Sequence, residues 1–242
     1  MSDLENKFNE IRSFFSERAN PEIVKKYSKY FREGYDAWGI DQKTFEDQRD
    51  KWLNAWRDQL SIDDFLQLGD LLIATGKYEE GSCAILFVEA HKEKLQARHI
   101  DHLGSWLEKY ILNWAHTDIL CGRVLSVFLQ NRIIDQQYFI AWTTSASKWQ
   151  RRAVPVTFIE ILDQEYSLDD MFEIIDPIMT DKEDMVQKGL GWFLREAWKR
   201  QPDPIEDFLM KWKNTCGRII VQYATEKMDK EYRKRFRREK QK

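Results

Sequence analysis

Apolar residues recur at intervals of three and four almost from end to end of this chain. In "IDDFLQLGDLLIATG" (62–76), Ile62, Phe65, Leu66, Leu68, Leu71 and Leu72 fall close to an i, i+3, i+4, i+7 stripe, the spacing that gathers side chains on one face of an α-helix. Ser61 stands where a hydroxyl caps a first turn, and Gly76 where a helix stops. "SLDDMFEIIDPIM" (167–179) repeats the arrangement as Ser, an aliphatic residue, Asp-Asp and an apolar pair. "PIEDFLMKWK" (204–213), with Pro204 near its start, is a third version. "CAILFVEAHKEKL" (83–95) reads as a buried helix that emerges into solvent. Alternating β-branched runs are absent. The nearest approach, "RAVPVTFIEIL" (152–162), has helical flanks. The pattern predicts an all-α chain.

A second echo sets a period. Gln150-Arg151-Arg152-Ala153 and Gln187-Lys188-Gly189-Leu190 are related by a shift of 37 residues, and Asp118 precedes Arg152 by 34. Helices alternating with short polar links at a period in the mid-thirties are the signature of a HEAT-like solenoid, in which antiparallel helix pairs stack into a curved superhelix. The second helices of successive repeats would then line one concave wall. The expected organisation is a single helical domain over 1–229 and a basic tail over 230–242. Any break is expected first at Asp41–Thr44 and in the tail after about Lys227.

Composition agrees with helices, since 10 Gly and 5 Pro in 242 residues leave little room for the tight turns of an all-β fold. Aromatics reach 14%, with 10 Trp, and need either large cavities or surfaces to stack on. No apolar run is long enough to span a bilayer, and "MSDLENKFNEIRSFF" is too polar for a secretory signal. Cys83, Cys121 and Cys216 are odd in number and far apart, which fits reduced thiols in a cytoplasmic protein. Net charge is −3, unevenly spread: "KEYRKRFRREKQK" (230–242) carries eight Lys/Arg against two Glu, or +6, leaving −9 for the remainder. Such a tail reads either as a solvated end or as an arm for nucleic acid.

Three of the predicted helices carry residues that could do chemistry on the shared wall. One offers Trp114 and Asp118, four apart. The next offers Trp149 and Arg152, three apart. The third offers Lys188, Trp192, Arg195 and Lys199, at intervals of four, three and four. Each set shares a helix face. His116, Asp118 and Cys121 do not, at i, i+2 and i+5, so no metal site is expected.

"WAHTD" (114–118), "WQRRAV" (149–154) and "QKGLGWFLRE" (187–196) together resemble the motifs of the AlkD-like DNA alkylation repair family, HEAT-repeat glycosylases that excise positively charged alkylpurines. "YFREGYDAWGI" (30–40) resembles the family's N-terminal helix junction, so the likeness covers roughly Tyr30 to Arg235. Position by position, the resemblance implies that Asp118 is the catalytic carboxylate and Arg152 its paired arginine. Trp114 and Trp192 become the two site aromatics. Lys148, Arg151, Lys188, Arg195 and Lys199 are candidate contacts to the DNA backbone, although Arg151 also reads as a solvated side chain and Lys188 and Lys199 equally well as part of a solvated helix face. Trp149 reads as packing between repeats.

The residue types suit the implied reaction. An alkylated purine is cationic and leaves without being protonated. What the enzyme adds is a carboxylate that stabilises the oxocarbenium-like sugar and activates a water. Aromatic faces attract a cationic lesion by about 0.5–2 kcal/mol. The expectation is a monomeric, monofunctional glycosylase acting on alkylated bases in duplex DNA, with no cofactor and no membrane partner. The alternative is a non-catalytic repeat module that binds nucleic acid or protein through the same surface. The acidic body favours that alternative, because phosphate neutralisation supplies most of a duplex binder's affinity.

Overall fold

The structure, a computed structural model, describes residues 3–239, and every regular element in them is helical. The chain forms two compact units, residues 1–120 and 121–242. The first holds α1 (Asp3–Glu17), α2 (Pro21–Ser28), α3 (Gln42–Trp56), α4 (Ile62–Ile73), α5 (Tyr78–Glu89), α6 (His99–Lys109) and α7 (Trp114–Leu120). The second opens on one π-helical turn, Cys121–Leu125, and continues with α8 (Ser126–Gln130), α9 (Ile140–Thr143), α10 (Lys148–Ile159), α11 (Leu168–Ile175), α12 (Asp184–Trp198), α13 (Pro202–Trp212) and α14 (Arg218–Ala224).

The local signals act as the sequence predicts. Ser61 caps α4 by accepting from the Asp64 amide, and the Asp64 carboxylate accepts from the Ser61 amide, a closed capping box. Ser167 caps α11 by accepting from the Asp170 amide. Asp41 caps α3, so the expected break at Asp41–Thr44 is a helix start. "RAVPVTFIEIL" lies largely in α10, whose Val154, Val156 and Phe158 are buried. The division after Leu120 carries no linker composition. Leu120 and Cys121 are both buried, and nothing polar or flexible marks the place in the sequence.

Packing follows the period. In the first unit α4 lies along α5, and α5 along α7; in the second α10 packs on α12, and α12 on α14. Phe15, Phe65, Phe87, Leu68 and Trp106 fill the first core, and Phe128, Phe139, Phe158, Phe193 and Leu194 the second. Burying side chains of that size is worth roughly 1.5–3 kcal/mol each. Cys83, Cys121 and Cys216 are buried and outside any disulfide among the described residues. No helix among the described residues is long and apolar enough to cross a membrane.

Most described residues of the basic tail are exposed, yet the segment is packed at one point. Residues 230–239 fold back onto the second unit through a 3-10 turn, Tyr232–Phe236, that buries Phe236 completely. The Tyr232 hydroxyl donates to Glu206 Oε2 at 2.5 Å, and the Glu239 amide donates to Asn214 Oδ1 at 2.9 Å. One phenylalanine inside the charge run supplies the apolar anchor that the net charge conceals. The last three residues of that tail, 240–242, lie outside the described ones.

Candidate functional site

Trp114 and Asp118 stand one turn apart on α7, both half-buried. The indole is fixed from two directions: Trp114 Nε1 donates to the Tyr30 carbonyl at 3.2 Å, and the ring stacks on Phe31 with centroids 5.7 Å apart. Phe31 in turn stacks on Tyr35 at 4.6 Å and meets Tyr78 edge-on. The segment bearing these rings is held by Glu79 at the start of α5. Its carboxylate accepts from the amides of Trp38, Gly39 and Ile40 at 2.8–3.1 Å. Gly39 sits at φ +80°, where a Cβ would come within 2.2 Å of the Asn20 carbonyl oxygen, so the loop requires glycine.

His116 anchors α7 from beneath. Its Nδ1 accepts from Asn113 Nδ2 at 3.1 Å, and its Nε2–H points to the Tyr78 carbonyl at 3.0 Å. Asn113 Oδ1 accepts the His116 amide at 2.9 Å, which fixes the orientation of its amide group. Burial lowers the imidazole pKa to about 4, so the ring is neutral. A proton on Nδ1 would face the Asn113 NH₂ group. His116 is thus committed to holding the helix rather than to chemistry.

In the second unit, Arg152 of α10 is nearly buried, at 5% exposure. Its Nη1 donates to the Met185 carbonyl in the first turn of α12 at 2.5 Å. Gly189 makes this approach possible: a Cβ there would stand 3.2 Å from Arg152 Cγ and 3.3 Å from Val156 Cγ2. Trp192, one turn further along α12, is half-buried. Trp149 is 5% exposed.

Part of "QKGLGWFLRE" serves the fold. Gln187 Nε2 donates to the Asp181 carbonyl at 2.8 Å, and its Oε1 accepts from the Ile219 amide at 3.3 Å, tying the loop before α12 to the start of α14. Gly191 admits α14: a Cβ there would lie 2.5 Å from Tyr223 Cβ and 2.8 Å from the Ile220 carbonyl oxygen.

A model of the DNA alkylation repair enzyme family matches residues 11–228. The chain belongs to that family. Solved structures share its fold, three of them as follows. A predicted DNA alkylation repair enzyme from Enterococcus faecalis has a TM-score of 0.77 at 15% identity, over 88% of this chain and 97% of that one. AlkD2 from Streptococcus mutans has a TM-score of 0.59 at 18% identity, over 86% and 99%. The smu.31 protein of Streptococcus mutans UA159 has a TM-score of 0.58 at 17% identity, over 77% and 94%. No curated protein matches the chain.

The five candidate backbone contacts of this family member divide sharply. Arg151 donates through Nε to Asp181 at 2.6 Å and through Nη1 to the carbonyls of Ser145 and Ala146, so it secures the loop that enters α10. Arg195 pairs with Glu196 at 3.0 Å and with Glu226 at 2.5 Å. Lys199 pairs with Glu196 as well. Lys148 lies 3.8 Å from Glu183 and 5.0 Å from the Trp149 ring centroid. Only Lys188 is without an ion pair among the described residues. Motif spacing does not single out Phe31, Tyr30 or His116. The one signal for the first two is the density of aromatics in "YFREGYDAWGI".

Proposed function

We propose that this member of the DNA alkylation repair family is a glycosylase that hydrolyses the N-glycosidic bond of cationic alkylpurines, such as 3-methyladenine and 7-methylguanine, in duplex DNA. The observation that carries the reading is Asp118, a part-exposed carboxylate one turn from an indole locked by both a stack and a hydrogen bond. As the bond from C1′ to the base nitrogen breaks, its electron pair neutralises the departing base. Positive charge then develops on the sugar, where an ionised Asp118 stabilises it. Water adds to C1′ and passes a proton through the same carboxylate to solvent. Arg152 supplies a guanidinium for a phosphate oxygen, and Trp114 and Trp192 are aromatic faces suited to a cationic lesion.

The test is release of free base from methylated duplex DNA, measured by chromatography. The wild-type chain releases 7-methylguanine, and Asp118→Asn lowers the rate by at least roughly tenfold with the fold intact, as expected when transition-state charge stabilisation is lost. Equal rates in the two proteins would remove Asp118 from the mechanism.

One observation favours a second reading, a non-catalytic module on the same scaffold. Four of the five candidate phosphate contacts are engaged with carboxylates, which weakens the electrostatic term that drives duplex binding. Retention of methylated DNA with no base released would decide for that module.

A further inference from the structure

The folded-back C-terminal segment and α14 enclose a cleft of about 800 Å³ in the second unit. Five cations line it: Lys213, Arg218, Arg233, Arg237 and Arg238. The one carboxylate in its wall, Glu239, is held by Lys213 at 2.8 Å. Arg238 donates through Nη2 to the Cys216 carbonyl at 3.0 Å. Arg218, Arg233 and Arg237 form no ion pair among the described residues.

That concentration is not a by-product of overall charge, because the chain carries −3 in total. Elsewhere its arginines meet carboxylates: Arg98 with Asp63, Arg200 with Asp163, Arg151 with Asp181. Gathering unpaired guanidinium groups round one cavity costs repulsion that a bound anion relieves. The walls are already set, because Phe236 is buried and the Tyr232–Glu206 and Glu239–Asn214 hydrogen bonds fix the segment on either side.

We propose that this cleft is a binding site for a small ligand carrying a chain of phosphates. Guanidinium forks match phosphate oxygens two at a time. The volume falls within the range of roughly 300–1,000 Å³ typical of small-molecule sites. A DNA duplex is too wide to enter such a concavity. Val221 gives the cleft an apolar wall against which a base could rest. Inorganic triphosphate and a nucleoside triphosphate share the chemistry, and the two are separated by experiment. The proposal stands independently of the glycosylase reading.

The test is calorimetric titration of the full chain, in low-salt buffer free of divalent cations, with sodium tripolyphosphate and in parallel with ATP. One saturable site per chain is expected. Arg218→Gln and Arg233→Gln should each weaken binding by about tenfold, the order of one charge-assisted hydrogen bond. Arg218→Lys, which keeps the charge and loses the fork, should lie between. Lys92→Gln, an exposed lysine in the first unit, should bind like wild type. Melting curves without ligand establish that each variant is folded, and base release from methylated DNA should be the same in Arg233→Gln as in wild type. Tighter binding of ATP assigns the base to the apolar wall; equal binding assigns the site to the phosphates alone. No saturable binding of either compound overturns the proposal. So does an equal loss in Lys92→Gln, or displacement only by a duplex oligonucleotide.

Discussion

Trp114 and Trp192 are the same residue type, are both half-buried, and are offered by the same set of motifs, yet the chain holds them by different means. Trp114 is built into place from afar. A carbonyl 84 residues earlier accepts its indole N–H, Phe31 covers its face, and that covering segment is itself pinned by Glu79. Trp192 has no ring stacked on it among the described residues; its position follows from the helix that bears it. That helix is set by two glycines, Gly189 under Arg152 and Gly191 under Tyr223. In the first unit the side chain is preorganised. In the second it is the backbone. A site that stabilises a developing charge gains most from groups that need not reorganise, so the first unit should be sensitive to distant aromatic changes and the second to changes in helix spacing.

The largest effect should come from Gly191→Ala. Alanine gains about 1 kcal/mol over glycine in helix propensity, but its Cβ would stand 2.5 Å from Tyr223 Cβ and 2.8 Å from a backbone carbonyl oxygen. Neither can move without shifting α14. Overpacking of this kind costs roughly 1–3 kcal/mol, so the melting temperature should fall by several degrees. A melting temperature at or above that of wild type would show that the spacing of α12 and α14 is soft.

Next comes pH. In the unfolded chain His116 titrates at its ordinary value of 6.5, and in the folded chain at about 4. Between those values the unfolded state binds the proton and the folded state does not. The stability that depends on the neutral ring is therefore fully present above pH 6.5 and lost as pH falls toward 4, on the order of 2–3 kcal/mol. Urea midpoints across that range should drop more steeply for wild type than for His116→Gln. Parallel curves would mean that His116 does not anchor α7.

The smallest change is the most pointed. Phe31→Leu keeps apolar bulk but removes the stack on Trp114. If Trp114 acts as proposed, base release should fall severalfold, through kcat rather than KM, while the melting temperature moves by only a few degrees. A rate equal to wild type would separate the preorganised indole from the chemistry, and the contrast between the two tryptophans would then concern folding alone.

Much of this was legible in the chain itself. Helical periodicity gave the class, and the Ser61 and Ser167 caps gave two helix starts to the residue. Three motifs in the right order gave the family. These are local facts: a 3.6-residue stripe, a hydroxyl before Asp-Asp, a fixed interval. The same local rule is silent on where the tail packs, because net charge outweighs a single Phe236 in composition although the phenylalanine is what the segment buries. It also placed Arg151 and Arg195 with the candidate phosphate contacts. Asp181, which holds Arg151, and Glu226, which joins the adjacent Glu196 in holding Arg195, lie 30 and 31 residues further on and share no pattern with them.

The sequence by itself determined that the chain is helical, where several helices begin, and which residue types stand ready on each face, since all of these depend on neighbours within about a turn. Tertiary structure alone decided which cations are already neutralised, which glycines are spacers, how Trp114 is held, and that the charged end closes over a cleft. Each of these rests on atoms brought together from distant parts of the chain, and hydrogen bonds and ion pairs act over a few ångströms of space, whatever the distance along the backbone.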